Sequence, residues 1–140
     1  MKNIAAVILA AGEGTRMRSS TPKVLHSICG KPMIRYLIDT INSIDIDKVI
    51  VVVGHKSDLV KENLPGVKCI NQEKLLGTGD AVLATQRILL KDNKIDSVLV
   101  SYGDVPLLTA ETLKRIIQRH VSTKSACTLL ASHLKNPTGY

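Results

Sequence analysis

Apolar and polar residues follow one another along the chain in blocks that fit strands and helices in turn. Continuous apolar runs that stop at or near a glycine are typical of strands buried on both faces. Such runs predict strands at residues 4–10, 49–53, 67–70, 98–100 and 127–131. Between them, apolar positions at helical spacing predict helices after Pro32, at residues 57–64 and 77–90, and from Thr109, which is a suitable N-cap.

This order of elements predicts the fold class. Strands that alternate with helices form a parallel sheet with helices on both faces, which is a Rossmann-like three-layer α/β/α fold. The 140 residues correspond to one domain or part of one, and they are enough to form a core. Since ligands of such sheets bind beyond the carboxyl ends of the strands, the loops after the strands are the candidate functional segments.

The composition limits the class of protein further. Hydrophobic residues make up 44% of the chain and charged residues 22%, values typical of a globular domain. Phe and Trp are absent and only three Tyr occur, which argues against an aromatic stacking surface for nucleic acid. The formal net charge is +7, and residues 1–35 hold six basic side chains against one acidic. Positive charge concentrated in one segment suits a small anionic ligand.

The cysteines and the N-terminus bear on the compartment. Cys29, Cys69 and Cys127 are widely spaced and form no C-x-x-C pair, so they predict buried thiols in a reducing cytosol rather than disulfides or a zinc site. The N-terminal apolar run is short for a signal peptide, and no run approaches the ~18 residues of a membrane span. We therefore expect a cytoplasmic protein without a membrane partner.

The loop after the first strand can bind phosphate. Its small residues let backbone N–H groups approach an anion, and Arg16, Arg18 and Lys23 can neutralise that anion. Neither the dinucleotide fingerprint G-x-G-x-x-G nor a Walker sequence is present, because Met17 occupies the third glycine position and no G-K-[ST] follows. A plain turn with solvated basic residues is the alternative for this loop.

Asp104 directly follows the fourth predicted strand. A carboxylate at this end of the sheet, facing a basic loop, can hold Mg²⁺ together with substrate phosphates. Aspartates are also common in turns, so the residue alone does not decide between the two roles.

Several segments together resemble one family. Residues 9–17 (LAAGEGTRM), 22–26 (PKVLH) and 30–33 (GKPM) resemble the signature of sugar-nucleotide pyrophosphorylases. Gln72 and residues 76–79, 102–107 and 136–140 are similar to the N-terminal uridyltransferase domain of bacterial bifunctional N-acetylglucosamine-1-phosphate uridyltransferase/glucosamine-1-phosphate acetyltransferase.

The resemblance implies the fold of the nucleotide-diphospho-sugar transferases and a Mg²⁺-dependent reaction. UTP and N-acetylglucosamine 1-phosphate would give pyrophosphate and UDP-N-acetylglucosamine, a precursor of peptidoglycan and lipopolysaccharide. By analogy Arg16, Lys23 and Asp104 are catalytic, with Asp104 as the metal ligand. The residues implied to bind substrate are Leu9, Ala10, Ala11, Gly12, Gly14, Lys23, Gln72, Gly77, Thr78, Tyr102, Gly103 and Asp104.

Departures from the family pattern leave alternatives open. Leu75 and Asp80 stand where the family usually has Gln and His, so another base or sugar remains an alternative. Residues 1–140 would be the nucleotide-binding half of the domain, because the family's second metal ligand and acetyltransferase domain follow later. We therefore also consider a nucleotide-binding remnant without turnover, and expect exposed sheet surface that allows self-association.

Overall fold

The apolar N-terminal run is the first of the strands and helices that make up the fold, and it forms a middle strand of the sheet. A computed structural model of the protein describes residues 3–12, 14–46, 48–54, 56–74 and 76–136. Its elements in chain order are β1 (Ile4–Ala10), β2 (Ser27–Ile28), β3 (Lys31–Pro32), α1 (Met33–Asn42), β4 (Lys48–Val53), α2 (Ser57–Asn63), β5 (Lys68–Asn71), α3 (Thr78–Leu83), α4 (Gln86–Leu90), β6 (Ser97–Tyr102) and α5 (Ala110–Thr123).

Four strands form one parallel sheet in the order β5-β4-β1-β6. The two middle strands are the most apolar, and Ala5 to Ile8 of β1 are fully buried. Alternate residues of a strand point to opposite faces, so β1 supplies Ala6 and Ile8 to one face and Val7 and Leu9 to the other. The prediction of a buried parallel sheet is confirmed.

Helices cover both faces of the sheet. α1, α2 and α5 pack on the face of Ala6 and Ile8, where Leu37, Val60 and Leu113 are buried. α3 and α4 pack on the opposite face, through Ala81, Val82 and Leu89. The three-layer α/β/α architecture is confirmed.

The helix predicted over residues 77–90 is in fact two helices, α3 and α4. Thr85, which is fully buried, lies between them, and its Oγ1 donates a hydrogen bond to the Val82 carbonyl at 2.7 Å. A threonine hydroxyl that bonds to nearby backbone competes with the regular helical pattern, and here two turn residues, Ala84 and Thr85, separate the helices. The apolar spacing alone did not reveal the break.

The strand predicted at residues 127–131 is wrong, because this segment joins no sheet. It runs as irregular chain after α5, held where His120 Nδ1 and Thr128 Oγ1 lie 3.0 Å apart. Leu129 and Leu130 are exposed. Apolar residues in a row become a strand only when a neighbouring strand satisfies their backbone groups.

A short hairpin precedes α1. β2 and β3 pair in antiparallel fashion around Cys29 and Gly30, both at positive φ (48° and 80°), which is the backbone of a tight two-residue turn. Cys29 and Cys127 are exposed, so the expectation of three buried thiols is wrong for them. Cys69 is partly buried, and burial raises the pKa of its thiol.

An ion pair lies at the edge where the strands begin. Lys48, the first residue of β4, contacts Asp92 at 2.7 Å, and this hydrogen bond lowers the pKa of the Asp92 carboxyl. The two residues link the sheet to the segment after α4.

None of the helices in the described ranges is long and apolar enough to cross a membrane.

Candidate active site

The loops that follow the strands meet at one edge of the sheet. Because all four strands are parallel, the segments after β1, β4, β5 and β6 lie beyond the same end. The segment after β1, residues 11–22, is called the basic loop here. Thr15–Met17 forms a 3-10 turn within it, and a second turn, Lys23–Leu25, follows it.

Lys23 and Asp104 form the central contact of this edge. Lys23 Nζ lies 2.5 Å from Asp104 Oδ2, although 81 positions separate the two residues in the chain. Both side chains are about one-third exposed (35% and 32%), so the pair is accessible to a ligand. Lys23 is held in place by Val24 and Leu25, which follow it into the core. The structure thus joins the turn that follows the basic loop to the carboxylate after β6.

Glycines make this contact sterically possible. Gly14 has a φ of +62°, and a Cβ at that position would lie 2.8 Å from the Cβ of Lys23. Gly103 donates its N–H to the Leu9 carbonyl at 2.9 Å, and a Cβ there would lie 3.0 Å from Val24 Cγ1. A side chain at either position would push the loop away from the end of β6.

A second polar group lies beyond β5. Gln72 is buried, and its backbone N–H donates to the Val53 carbonyl at 2.7 Å. Its Nε2 donates to Asp80 Oδ2 at 2.7 Å and to the Gly77 carbonyl at 3.1 Å. The amide is therefore oriented by the first turn of α3, with Nε2 already occupied.

The helix α3 connects the two groups. Its Ala81 belongs to the same buried cluster as Leu9 of β1 and Ala11, the first residue of the basic loop. Gly77, at a φ of 108°, turns the chain into this helix. Leu9 and Ala10 end β1, and Gly12 lies just beyond it.

Other predicted site residues stand apart from these contacts. The side chains of Arg16, Thr78 and Tyr102 are exposed, and none has a polar partner within the described part of the chain. Leu75 and residues 137–140 lie outside the described residues.

The sequence analysis missed two residues that contribute to this site. The sequence marked Asp80 only as a departure from the family pattern, yet its carboxylate accepts a hydrogen bond that orients the Gln72 amide. Lys56 follows β4 at a φ of 56°, and its Nζ donates to the Ser20 carbonyl of the basic loop. In the sequence, the feature that could have indicated this role is the position of Lys56 in the turn after the buried strand β4.

The side chains at this edge of the sheet suit a divalent cation that the substrate helps to bind, rather than one enclosed by protein ligands alone. No group of three or more His, Cys, Asp or Glu side chains comes together in the described ranges. Asp104 offers a partly exposed carboxylate whose Oδ1 has no partner there. Mg²⁺ commonly takes one or two carboxylates together with substrate phosphates, so a single carboxylate fits such an ion.

The family model and a solved relative identify the class of this parallel α/β/α sheet, with its basic, glycine-containing loop and its lysine–aspartate pair at the carboxyl edge, as a nucleotidyltransferase type of domain. The chain belongs to the MobA-like NTP transferase family, whose model matches residues 6–138.

Curated relatives point in the same direction. The chain is 46% identical over 141 residues to the bifunctional protein GlmU of Thermoanaerobacter pseudethanolicus, covering 100% of this chain and 30% of that protein. It is 44% identical to GlmU of Halalkalibacterium halodurans, again over 100% of this chain and 30% of the relative. The chain thus spans about 30% of the length of these relatives, and the family resemblance inferred from the motifs is confirmed.

Solved structures support the fold. A nucleotidyl transferase from Methanothermobacter superposes with a TM-score of 0.70 at 29% identity, covering 82% of this chain and 56% of that one. The 4-diphosphocytidyl-2C-methyl-D-erythritol synthase of Anaerococcus prevotii superposes with a TM-score of 0.67 at 21% identity, covering 84% and 51%. The fold class is that of nucleotidyltransferases.

Proposed function

We propose that residues 1–140 are the nucleotide-binding half of a Mg²⁺-dependent uridyltransferase. Its substrates are UTP and N-acetylglucosamine 1-phosphate, and its products are UDP-N-acetylglucosamine and pyrophosphate. The match to GlmU, which runs along the whole of this chain and covers about 30% of the relative, supports this choice within the family. The observation that carries it is the Lys23–Asp104 pair beside the basic loop.

The residues at this edge suit transfer of a nucleotidyl group. A phosphate oxygen of the sugar 1-phosphate attacks the α-phosphorus of UTP, and the bond from this phosphorus to the bridging oxygen breaks. The electron pair leaves with pyrophosphate, on which negative charge grows. Lys23 and Arg16 are the proposed cations that stabilise this charge, an electrostatic role that needs no covalent intermediate.

Asp104 is the proposed ligand for Mg²⁺. A bound ion would add positive charge beside the phosphate oxygens of the substrate. In the free chain the Asp104 carboxylate is paired with Lys23, so both groups are held ready at one place. Phosphate binding to Lys23 and metal binding to Asp104 would then replace one internal ion pair by two contacts to the substrate complex.

Gln72 is the proposed reader of the uracil base. The Nε2 of Gln72 donates to Asp80 and to the Gly77 carbonyl. The Oε1 of the same amide therefore points away from these two groups, and we propose that it accepts a hydrogen bond from the base. Uracil offers an N–H donor at its pairing edge, whereas cytosine offers an acceptor at the same ring position. This arrangement favours uracil over cytosine, with Gly77 and Thr78 as neighbouring contacts.

Pyrophosphate release tests the proposal. UTP, N-acetylglucosamine 1-phosphate and Mg²⁺ are incubated with the unaltered chain, with Asp104→Asn and with a matched control, Asp39→Asn. The control removes the acid of the Lys31–Asp39 pair, which joins β3 to α1 and is exposed on both sides. We expect release that falls by about 100-fold or more in Asp104→Asn, since loss of a key electrostatic group costs this much, and is unchanged in the control.

The negative outcomes separate the alternatives. Release that survives in Asp104→Asn overturns the role of this carboxylate. UTP binding without any release from the unaltered chain would instead favour the nucleotide-binding protein without turnover.

We also propose that the chain self-associates and acts in the cytoplasm. Val98, Val100 and Tyr102 of the end strand β6 are 40–53% exposed. The apolar surface that they form is the proposed contact with a second copy of the chain. Cys29, Cys69 and Cys127 are free thiols, which supports a reducing compartment.

A further inference from the structure

The side-chain amide of Gln72 has only one orientation that its neighbours accept. The two ends of an amide differ in chemistry, because the oxygen accepts hydrogen bonds and the nitrogen donates them. Both neighbours of this amide can only accept: the Asp80 carboxylate lies 2.7 Å from Nε2 and the Gly77 carbonyl lies 3.1 Å from it. An amide turned end for end would place Oε1 against two oxygen acceptors. The nitrogen must therefore face Asp80 and Gly77.

The fold holds both sides of this contact in place. Gln72 is buried, and its backbone N–H donates to the carbonyl of Val53, the last residue of β4. The Gly77 carbonyl also accepts the N–H of Ala81 at 3.2 Å, and Ala81 is buried among residues of β1 and β4. Asp80 belongs to the first turn of α3, next to Ala81. The geometry of the amide is thus fixed by the sheet on one side and by α3 on the other.

Asp80 is the acceptor that depends on the identity of a side chain, whereas the Gly77 acceptor is backbone. Asp80 is partly buried, and no basic side chain in the described ranges forms an ion pair with it. A hydrogen bond to a charged acceptor is roughly twice as strong as one between neutral groups. The family usually has His at this position, so the resemblance does not supply this contact. The carboxylate is a feature of this chain.

We propose that Asp80 is a positioning residue that sets the base specificity of the site through Gln72. By accepting a hydrogen bond from Nε2, Asp80 keeps Oε1 directed toward the base as an acceptor, which suits the ring N–H of uracil. The reversed amide would present Nε2 and would suit the ring acceptor of cytosine instead. Asp80 does this without touching the nucleotide. This inference rests on the proposed function, in which Gln72 contacts the base.

The relative affinities for two nucleotides test the proposal. The unaltered 140-residue chain and Asp80→Asn are titrated calorimetrically with UTP and with CTP in the presence of Mg²⁺. Asp58→Asn is the matched control, because Asp58 is also an acid in the first turn of a helix, α2. Asparagine has nearly the shape of aspartate but can turn its own NH₂ group toward Gln72, so the reversed amide becomes acceptable.

We expect the unaltered chain and the control to bind UTP more tightly than CTP. In Asp80→Asn the ratio of UTP affinity to CTP affinity should fall by about 3- to 10-fold, the effect of one ordinary hydrogen bond. The fall should come from weaker UTP binding, with CTP affinity unchanged or higher. Because the ratio compares two ligands on the same variant, a general loss of stability does not change it.

The outcomes separate this inference from the proposed function. An unchanged ratio in Asp80→Asn, or equal losses of UTP and CTP affinity, would overturn the positioning role and leave the uridyltransferase assignment in place. An unaltered chain that binds UTP and CTP equally would overturn both the role of Asp80 and the reading of uracil by Gln72. The titrations need no sugar phosphate and no turnover, so a fall in the ratio supports the role of Asp80 even if no pyrophosphate is released.

Discussion

Gly14 is the point where the basic loop comes closest to Lys23. Two separate constraints act on it: its φ is +62°, and a side chain at this position would bring its Cβ to 2.8 Å from the Cβ of Lys23. The first constraint costs stability in any L residue, whereas the second displaces the lysine that we propose to bind phosphate. The two constraints can be separated by experiment.

Replacing Gly14 should therefore affect ligand binding more than folding. We expect Gly14→Ala to lose about 1 kcal/mol of unfolding free energy, the cost of a left-handed L residue, and to weaken UTP binding by about 10-fold or more, equal to about 1.4 kcal/mol. Gly66→Ala is the control, because Gly66 has a φ of +78° but open space around it. Urea unfolding and calorimetric titration with UTP measure the two effects. Equal UTP affinities in the two variants would contradict the steric argument.

Individual site residues were predictable to different degrees. Lys23 and Asp104 each carried a recognisable chemical signal, and their partnership required the fold to bring positions 81 apart together. The link from Gln72 to Asp80 required the side-chain geometry of α3, which apolar periodicity does not describe. Lys56 gave a weak signal because its role depends on a carbonyl of a distant loop.

Among the helices, α5 depends clearly on a local sequence signal. Thr109 accepts a hydrogen bond on its Oγ1 from the Thr112 N–H at 3.2 Å, and so caps the first turn. Leu113 and Ile117 of this helix pack on the same sheet face as α1. The cap therefore helps to hold the helix that follows the Asp104 segment.

Removing the cap should destabilise the whole domain. We expect Thr109→Ala to lower the unfolding free energy by about 1 kcal/mol, the usual cost of removing a threonine cap. Thr123→Ala is the control within the same helix: Thr123 is exposed, its hydroxyl bonds to the Arg119 carbonyl, and its loss should cost less than about 0.5 kcal/mol. Urea denaturation followed by circular dichroism measures both. A similar loss in the two variants would show that capping is not the cause.

The pattern of apolar residues predicted strands and helices best where the same residues are buried in the folded chain. β1 and β4 are apolar nearly throughout and lie in the middle of the sheet, so their sequence and their burial coincide. Residues 127–131 have a similar pattern without a pairing strand, and they stay irregular. The break at Thr85 coincides with one hydrogen bond from a hydroxyl to the backbone, a detail that the spacing of apolar residues does not contain.

At the scale of the whole molecule, the covering of the sheet is uneven. In register, Val98, Val100 and Tyr102 of β6 lie beside Ala5, Val7 and Leu9 of β1, so they belong to the face that α3 and α4 cover. The β1 residues are buried there, whereas those of β6 are exposed. The outer edge of β6 pairs with no strand in the described ranges. Exposed sheet surface was expected from the sequence, and β6 provides it.

Because apolar end strands tend to pair with other chains, the self-association proposed here should depend on Val100. We expect sedimentation velocity at rising protein concentration to give a weight-average mass above the 15.2 kDa of one chain, and Val100→Lys to keep that mass at one chain. Val121→Lys is the matched control, since Val121 is an exposed valine on α5, a helix that packs on the opposite face of the sheet from Val100. A lysine at position 100 places charge on the apolar face of β6, whereas one at position 121 leaves that face unchanged. A monomeric unaltered chain at all concentrations, or equal dissociation by both variants, would contradict pairing through β6.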